Sequence, residues 1–379
     1  MAFLAIFFHP NYSDGGVERT NLYLAKGLIA SGYKVMFLTT TATDHFTDEI
    51  KESFIELKLL GPGSVSKHFF SIVKELRMAS ANYDHVCFIG CQYYVNIVLM
   101  SISLVFGGML KNVIFINSER NHIDEFSYRR GIKNKLIPFL VKMSYRFADI
   151  VVANSDETAS DLEKFIGRKV LSVHNPTIND RIELLRQEPL TERWFLDDTR
   201  PCILAIGRLS FQKDFLTLLR AFLQVRKIVD AKLVILGEGD DRAALEEFIR
   251  ANDLLGTVYL PGFVANPYKF MQAGSLFVLS SRYEGLPNVL IEAIHLGLPC
   301  VSTCCKSGPR EILLEGEGGR LVPVGDPERM AAAIIDTFND PDTTKAMSAV
   351  AARGLHRFKP EVVVPLFEQA IKSSARCVR

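Results

Sequence analysis

The sequence has no apolar run long enough to span a membrane. The longest, Val95 to Leu110, falls short of the ~20 residues a spanning helix needs and is broken by Gly107 and Gly108. It reads as a buried helix of an α/β domain. The apolar start, Met1 to Pro10, has neither a basic flank nor a small-residue cleavage site, so it reads as a first strand rather than a signal peptide. Net charge is almost absent: 44 Lys and Arg against 43 Asp and Glu leave +1. No global field therefore points to nucleic acid or to an acidic polymer. The seven cysteines are Cys87, Cys91, Cys202, Cys300, Cys304, Cys305 and Cys377. The odd number and the apolar surroundings suit a reducing, cytoplasmic compartment. Cys300, Cys304 and Cys305 lack a second pair at finger spacing and read as small core side chains, not zinc ligands. No Ser/His/Asp order, Cys–His nucleophile motif or zincin helix stands out. No D-x-D is expected to hold a diphosphate-bound metal. The adjacent pairs Asp240-Asp241 and Asp197-Asp198 read as a loop start and a linker.

What is present is a packed α/β pattern. The 379 residues are 48% hydrophobic and 23% charged, which suits two well-packed domains. Strand-like runs at Phe3–Phe8, Lys34–Thr39, His85–Ile89, Asn112–Ile116, Ile150–Val152 and Val170–Val173 alternate with helical patterns. The rhythm breaks at His174-Asn175-Pro176. It resumes with Cys202–Ile206, Leu233–Leu236, Thr257–Leu260, Leu276–Leu279, Pro299–Ser302 and Arg320–Val322. Strands alternating with helices give parallel, doubly wound sheets. The expected organisation is a Rossmann-like domain over residues 1–175, a linker over 176–200, a second Rossmann-like domain over 201–358, and a helix over 359–379 returning to the first. Pro365 is expected in that helix's first turn. Ligands bind beyond the carboxyl ends of such strands, and two units face to face would share one cleft there.

The most informative segment runs from Ser281 to Glu292, after the strand Leu276–Leu279. Pro287 is suited to start a helix, which would leave the N–H groups of Asn288, Val289 and Leu290 open to an anion. Glu284 before the turn and Glu292 within the helix can accept hydrogen bonds from the hydroxyls of sugar and ribose rings. With Gly285 between them, the segment reads as a sugar-nucleotide clamp. The same spacing also suits an ordinary strand-to-helix turn with two solvated glutamates. In Ile206 to Asp214, Arg208 and Lys213 sit in the turn after a strand. They suit a diphosphate, Arg208 as a bidentate donor and Lys213 as a point charge, or they are solvated loop cations. Gly15-Gly16 opens a helix after the first strand and would allow close backbone approach, or is a plain tight turn. Gly237 to Arg242 imitates only the start of a dinucleotide fingerprint.

Together these segments resemble the retaining GT-B glycosyltransferases of family 4. The carriers are GGVER at 15–19, AIGRLSFQKDF at 205–215, LGEGDD at 236–241, LPGF at 260–263, SSRYEGLPNVLIEA at 280–293 with its E-x7-E spacing, and SGPREIL at 307–313. The resemblance implies a hexosyltransferase using a nucleotide-diphosphate sugar, UDP by family frequency, with no metal or other cofactor. It implies that Arg208 and Lys213 hold the diphosphate, Glu284 the transferred sugar and Glu292 the ribose. Gly285, Leu286, Pro287, Asn288 and Val289 would contact sugar and phosphate. Gly262, Phe263 and Val264 would meet the base, and Gly16 the diphosphate. Where relatives carry a histidine in a late loop of the first domain, this chain reads Asn117-Ser-Glu-Arg-Asn-His122. The acceptor-side contact there lies among Glu119, Arg120 and His122.

Arg129, Arg130, Lys133, Lys135, Lys142 and Arg146 are interspersed with Leu136, Ile137, Phe139, Leu140, Val141, Met143 and Tyr145, with no acid between. A basic amphipathic helix suits an anionic membrane surface, or is a solvated helix packed on the sheet. With the resemblance, it points to a polyprenyl-diphosphate-linked glycan as acceptor, met at the cytosolic face of the inner membrane. A soluble glycan is the other acceptor class. The rival readings are a UDP-sugar 2-epimerase of the same fold, a non-catalytic nucleotide-binding partner protein, and a NAD-dependent oxidoreductase.

Overall fold

The computed structural model describes residues 2–12, 15–120 and 133–375. The chain forms two compact units, Met1–Thr177 with Phe358–Arg379, and Ile178–Arg357.

The first unit is built on a parallel sheet of β1 (Phe3–Phe8), β2 (Lys34–Thr39), β3 (Glu56–Leu59), β4 (His85–Gly90), β5 (Val113–Glu119), β6 (Ile150–Ala153) and β7 (Leu171–Ser172). Their order is β3-β2-β1-β4-β5-β6-β7. Side chains alternate across a strand. Ala5 and Phe7 therefore enter one apolar layer, with Phe37, Ile89 and Ile116, while Leu4, Ile6 and Phe8 enter another, with Leu38, Phe88 and Phe115. Burial on both faces makes these strands read as continuous apolar runs. The edge strand β3, Glu-Leu-Lys-Leu, carries no such run and was not expected. Asn11–Tyr12 and Thr41–Ala42 add a short parallel pair.

The helices of this unit include α1 (Gly16–Ala30), α2 (Tyr93–Phe106), α3 (Lys133–Phe147) and α4 (Asp156–Ile166). In α2, Val95, Leu99 and Ile102 are buried, but Leu104 and Val105 are 57% and 68% exposed. The expected buried helix is thus buried on one face only. Among the described residues, no helix is long and apolar enough to cross a membrane. The helix Pro360–Ala375 packs on α1: Val363, Val364, Phe367 and Ile371 join the core that holds Leu24 and Leu28. A Cβ on Gly27 would stand 2.3 Å from Val364. This helix begins at Pro360, inside the expected 359–379 stretch, but Pro365 does not lie in its first turn. Pro360 occupies its first turn and Pro365 lies inside, where the buried valines and Phe367 hold the helix across the missing N–H.

The second unit has the parallel order β10-β9-β8-β11-β12-β13, from β8 (Cys202–Ile206), β9 (Lys232–Leu236), β10 (Val258–Gly262), β11 (Leu276–Leu279), β12 (Cys300–Thr303) and β13 (Arg320–Val322). Residues 176–200 are not a plain linker. From Ile178 onward they belong to this unit and hold the helices Asp180–Leu185 and Arg193–Leu196. Aromatic packing fixes them: Trp194 stacks on Phe270 with ring centroids 5.6 Å apart. The buried Lys232 ammonium donates to the Phe195 carbonyl at 2.5 Å and sits 4.1 Å over the Phe195 ring.

Candidate active site

In a parallel sheet, the two strands flanking the first one can bring distant loops together. Here β8 pairs directly with β11, so the loops leaving their carboxyl ends are neighbours. The β8 loop carries Arg208 and Lys213; the β11 loop carries Glu284. Lys213 Nζ lies 2.6 Å from Glu284 Oε1, with the two side chains 17% and 8% exposed. The Ser281 hydroxyl donates to the same carboxylate oxygen at 2.6 Å. Ser281 is wholly buried, and sequence reasoning gave it no role. The only available signal was a serine at the end of an apolar strand, three residues before an acid. Arg208 lies on the β8 loop with Lys213 and is exposed.

The backbone around this pair is held from several sides. Gln212 donates to the Tyr283 carbonyl at 3.0 Å, and Arg282 N–H to the Gln212 carbonyl at 2.8 Å. Glu284 N–H donates to the Lys306 carbonyl at 2.7 Å, and Ser307 N–H to the Glu284 carbonyl at 3.1 Å. The Ser307 hydroxyl donates to the Gly285 carbonyl at 2.8 Å. Cys305 lies beside this network: burial, then the Glu284 charge, pushes its thiol up to about 12.

Gly285, Leu286 and Pro287 are buried, and Asn288 and Val289 half-buried. The following helix runs Asn288–His295 with Pro287 as its cap residue, so Pro287 precedes the helix instead of starting it. The Leu290 N–H donates to the Pro287 carbonyl at 3.0 Å. It is spent inside the turn and not open to an anion, because the first turn tightens. Glu292 is half-buried on this helix and accepts from the Tyr268 hydroxyl at 3.3 Å.

Gly262, at the end of β10, has φ +94 and accepts from the Gly237 N–H at 2.8 Å. Phe263 beside it is 60% exposed. The D-x-D spelling does occur once, at Asp340-Pro341-Asp342. There Asp340 caps a helix, accepting from the Thr343 N–H at 3.1 Å.

In the first unit, Gly16 is the first residue of α1. Glu119 ends β5 and is buried; its carboxylate accepts from the Tyr145 hydroxyl and from the Arg120 N–H at 3.0 Å. Asn96 in turn donates to Tyr145 at 3.0 Å. Arg120 is 7% exposed. It donates to the Asn175 side chain at 2.9 Å, and its Nε has no partner among the described residues. Burial weakens its hold on its proton, opposed by charge at Cys91, Glu119 and Tyr12. His122 lies outside the described residues. His9, after β1, went unnoticed in the sequence. It lies 2.7 Å from the Asn11 carbonyl and 3.1 Å from the Gln92 amide, and burial lowers its pKa.

Two family models divide the chain between them. The model described as Glycosyltransferase Family 4 matches residues 14–181, and that of Glycosyl transferases group 1 matches residues 200–340. The chain belongs to the family 4 glycosyltransferases. This family 4 chain is 40% identical over 209 residues to an uncharacterised glycosyltransferase of Methanocaldococcus jannaschii, a match taking in 53% of this chain and 51% of the relative. It is 34% identical over 222 residues to the N-acetylgalactosamine-N,N'-diacetylbacillosaminyl-diphospho-undecaprenol 4-alpha-N-acetylgalactosaminyltransferase of Campylobacter jejuni, covering 58% of this chain and 59% of that one. The chain thus spans between half and three-fifths of the length of these two relatives. Among solved structures, the Anabaena protein HepE in complex with UDP and glucose superposes with a TM-score of 0.80 at 19% identity, over 98% of this chain and 99% of that one. At that identity the likeness is one of fold, and the fold is GT-B.

Proposed function

We propose that this protein transfers a hexose or N-acetylhexosamine from a nucleoside-diphosphate donor, UDP-linked, to a hydroxyl of a polyprenyl-diphosphate-linked glycan, with retention at the anomeric carbon. The reaction would serve assembly of a bacterial surface polysaccharide or lipid-linked oligosaccharide. The observation that carries the reading is the meeting of Lys213 with Glu284, the residue before the Gly285–Asn288 turn. It places a cation suited to phosphate beside a carboxylate suited to sugar hydroxyls.

In this reading Lys213 and Arg208 take the diphosphate and stabilise the charge that builds on it as the bond breaks. Glu284 accepts from the transferred sugar. Glu292 accepts from the ribose hydroxyls, and the backbone from Gly262 to Val264 meets the base. The acceptor oxygen bonds to the anomeric carbon on the face the diphosphate leaves. The electron pair of the broken bond goes to the phosphate oxygen, which also receives the acceptor's proton. Two cations supply the positive charge, so the reading needs no metal. Glu119 and Arg120 are the first unit's candidates to meet the acceptor, and Gly16 its candidate for the diphosphate.

The UDP bound to HepE and the diphospho-undecaprenol named for the C. jejuni relative support the donor and acceptor classes. The exposed Leu136 and Phe139, 57% and 58% exposed on the basic helix α3, support contact with an anionic membrane surface. The test is titration with UDP, GDP, ADP, NAD and the common UDP-sugars, with and without EDTA. The expected result is UDP and UDP-sugar binding that survives EDTA, followed by transfer to a lipid-linked glycan. UDP-sugar turnover without acceptor would indicate an epimerase. UDP binding with no turnover on any acceptor would indicate a silent partner, and NAD binding alone an oxidoreductase.

A further inference from the structure

We propose that Glu284 competes with the diphosphate for Lys213, so that loss of the sugar from the site loosens the nucleotide product. This rests on the donor-binding reading above and concerns what the same two side chains do after transfer.

The Lys213 ammonium can donate three hydrogen bonds, and one is already given to Glu284 at 2.6 Å. Its stem lies along Gly207, where a Cβ would stand 3.1 Å from Lys213 Cε. The Lys213 carbonyl is held by the Ser280 hydroxyl at 2.7 Å. Glu284 is fixed as well: its N–H and carbonyl are both bonded to the Lys306–Ser307 segment. Both side chains are mostly buried, where salt screens little. The backbone carrying each group is thus held, and the two charges meet at 2.6 Å. A diphosphate that reaches Lys213 must therefore share it with a nearby carboxylate of its own sign.

A hydroxyl of the donor sugar changes that balance. It donates to Glu284, meets part of the carboxylate's demand and weakens its claim on Lys213. The intact donor thus brings its own compensation, and UDP alone does not. Once the sugar has left with the acceptor, the carboxylate turns back on the ammonium and repels the diphosphate. Ser281 sets the strength of this competition. Its buried hydroxyl satisfies Glu284 Oε1 at 2.6 Å, so without it the carboxylate leans harder on Lys213.

The two positions predict effects of opposite sign, which damage to folding would not produce. UDP and UDP-glucose serve as probes, by calorimetry on the full chain, with unliganded melting curves confirming that each variant folds. Glu284→Gln should bind UDP about tenfold more tightly than the wild type, a change of about 1.4 kcal/mol. It should also lose the preference for UDP-glucose over UDP. Ser281→Ala should bind UDP several-fold more weakly, with Ser281→Thr restoring it. Glu284→Gln binding UDP no more tightly than the wild type, or both variants shifting UDP affinity the same way, would overturn the competition while leaving the donor site standing. Wild-type protein that binds no uridine nucleotide would overturn the donor reading and this inference with it.

Discussion

A Cβ placed on Gly237 would stand 1.9 Å from the carbonyl oxygen of Gly207. The backbones leaving β9 and β8 are in van der Waals contact at that point, and Gly237 also has φ +145. Gly237→Ala should therefore lower the stability of the second unit by about 2 kcal/mol or more. Urea denaturation would show it as an earlier midpoint, and an unchanged midpoint would mean the two loops can separate at little cost.

Lys213 and Glu292 should separate kinetically. If the proposed function holds, the Lys213 charge matters most as the glycosidic bond breaks, and Lys213→Ala should lower kcat by about 100-fold or more. On the same proposal Glu292→Ala should instead raise the donor Kd by about tenfold, through loss of the charged acceptor assigned to the ribose. Initial-rate kinetics with a nucleotide titration distinguish the two. Full turnover in the Lys213 variant would remove it from the chemistry.

Cys304 should be the first described thiol to react. Among the described cysteines it is half-exposed and the other five are buried. Burial pushes the Cys91 thiol up to about 11 and those of Cys87 and Cys202 up to about 12, which keeps them protonated. In a Cys377→Ser background, a disulfide reagent should label one site fast and the rest only in denaturant. Several fast sites would contradict the packing around β4 and β12.

His9 gives the fold a dependence on acid. Burial depresses its pKa below the ordinary 6.5. The unfolded chain therefore binds a proton at a pH where the folded one does not. The stability tied to neutral His9 is complete above about pH 6.5 and declines as the pH falls toward its folded pKa. His9→Asn should show a smaller loss of urea midpoint between pH 7.5 and 5.5 than the wild type. Equal losses would assign the acid sensitivity to other groups.

If α3 rests on a membrane, its exposed Phe139 should matter for binding and not for folding. Phe139 is 58% exposed, so Phe139→Glu should leave the melting temperature nearly unchanged. It should also reduce co-sedimentation with phosphatidylglycerol vesicles and not alter the weak background on phosphatidylcholine. Equal sedimentation of both proteins would detach this helix from any membrane role.

Both sheets could be read from the sequence because parallel strands buried on two faces carry unbroken apolar runs. Cys202–Ile206 and Leu276–Leu279 even keep their bounds. β3 was missed because an edge strand can alternate Glu and Lys with Leu. The order within residues 176–200 was missed because it depends on two aromatic side chains, Trp194 and Phe195, in a polar stretch; two residues make no period. The sequence marks the two segments as candidates, but not the 2.6 Å bond between Lys213 and Glu284. Those residues are 71 positions apart, and only the β8–β11 pairing makes them neighbours. The helix Pro360–Ala375 falls within the expected 359–379 stretch, but Pro365 lies inside it and not in its first turn, because local rules weigh a proline against its own turn and not against the core it covers.

That helix also orders events during synthesis. Its Val363, Val364, Phe367 and Ile371 complete a core begun by Ala5 and Phe7, while every residue of the second unit lies between Ile178 and Arg357. As the chain leaves the ribosome, the first unit to be started is therefore the last to be finished. Until residues beyond 357 emerge, Leu24 and Leu28 of α1 lack the apolar partners that Val363, Val364, Phe367 and Ile371 supply.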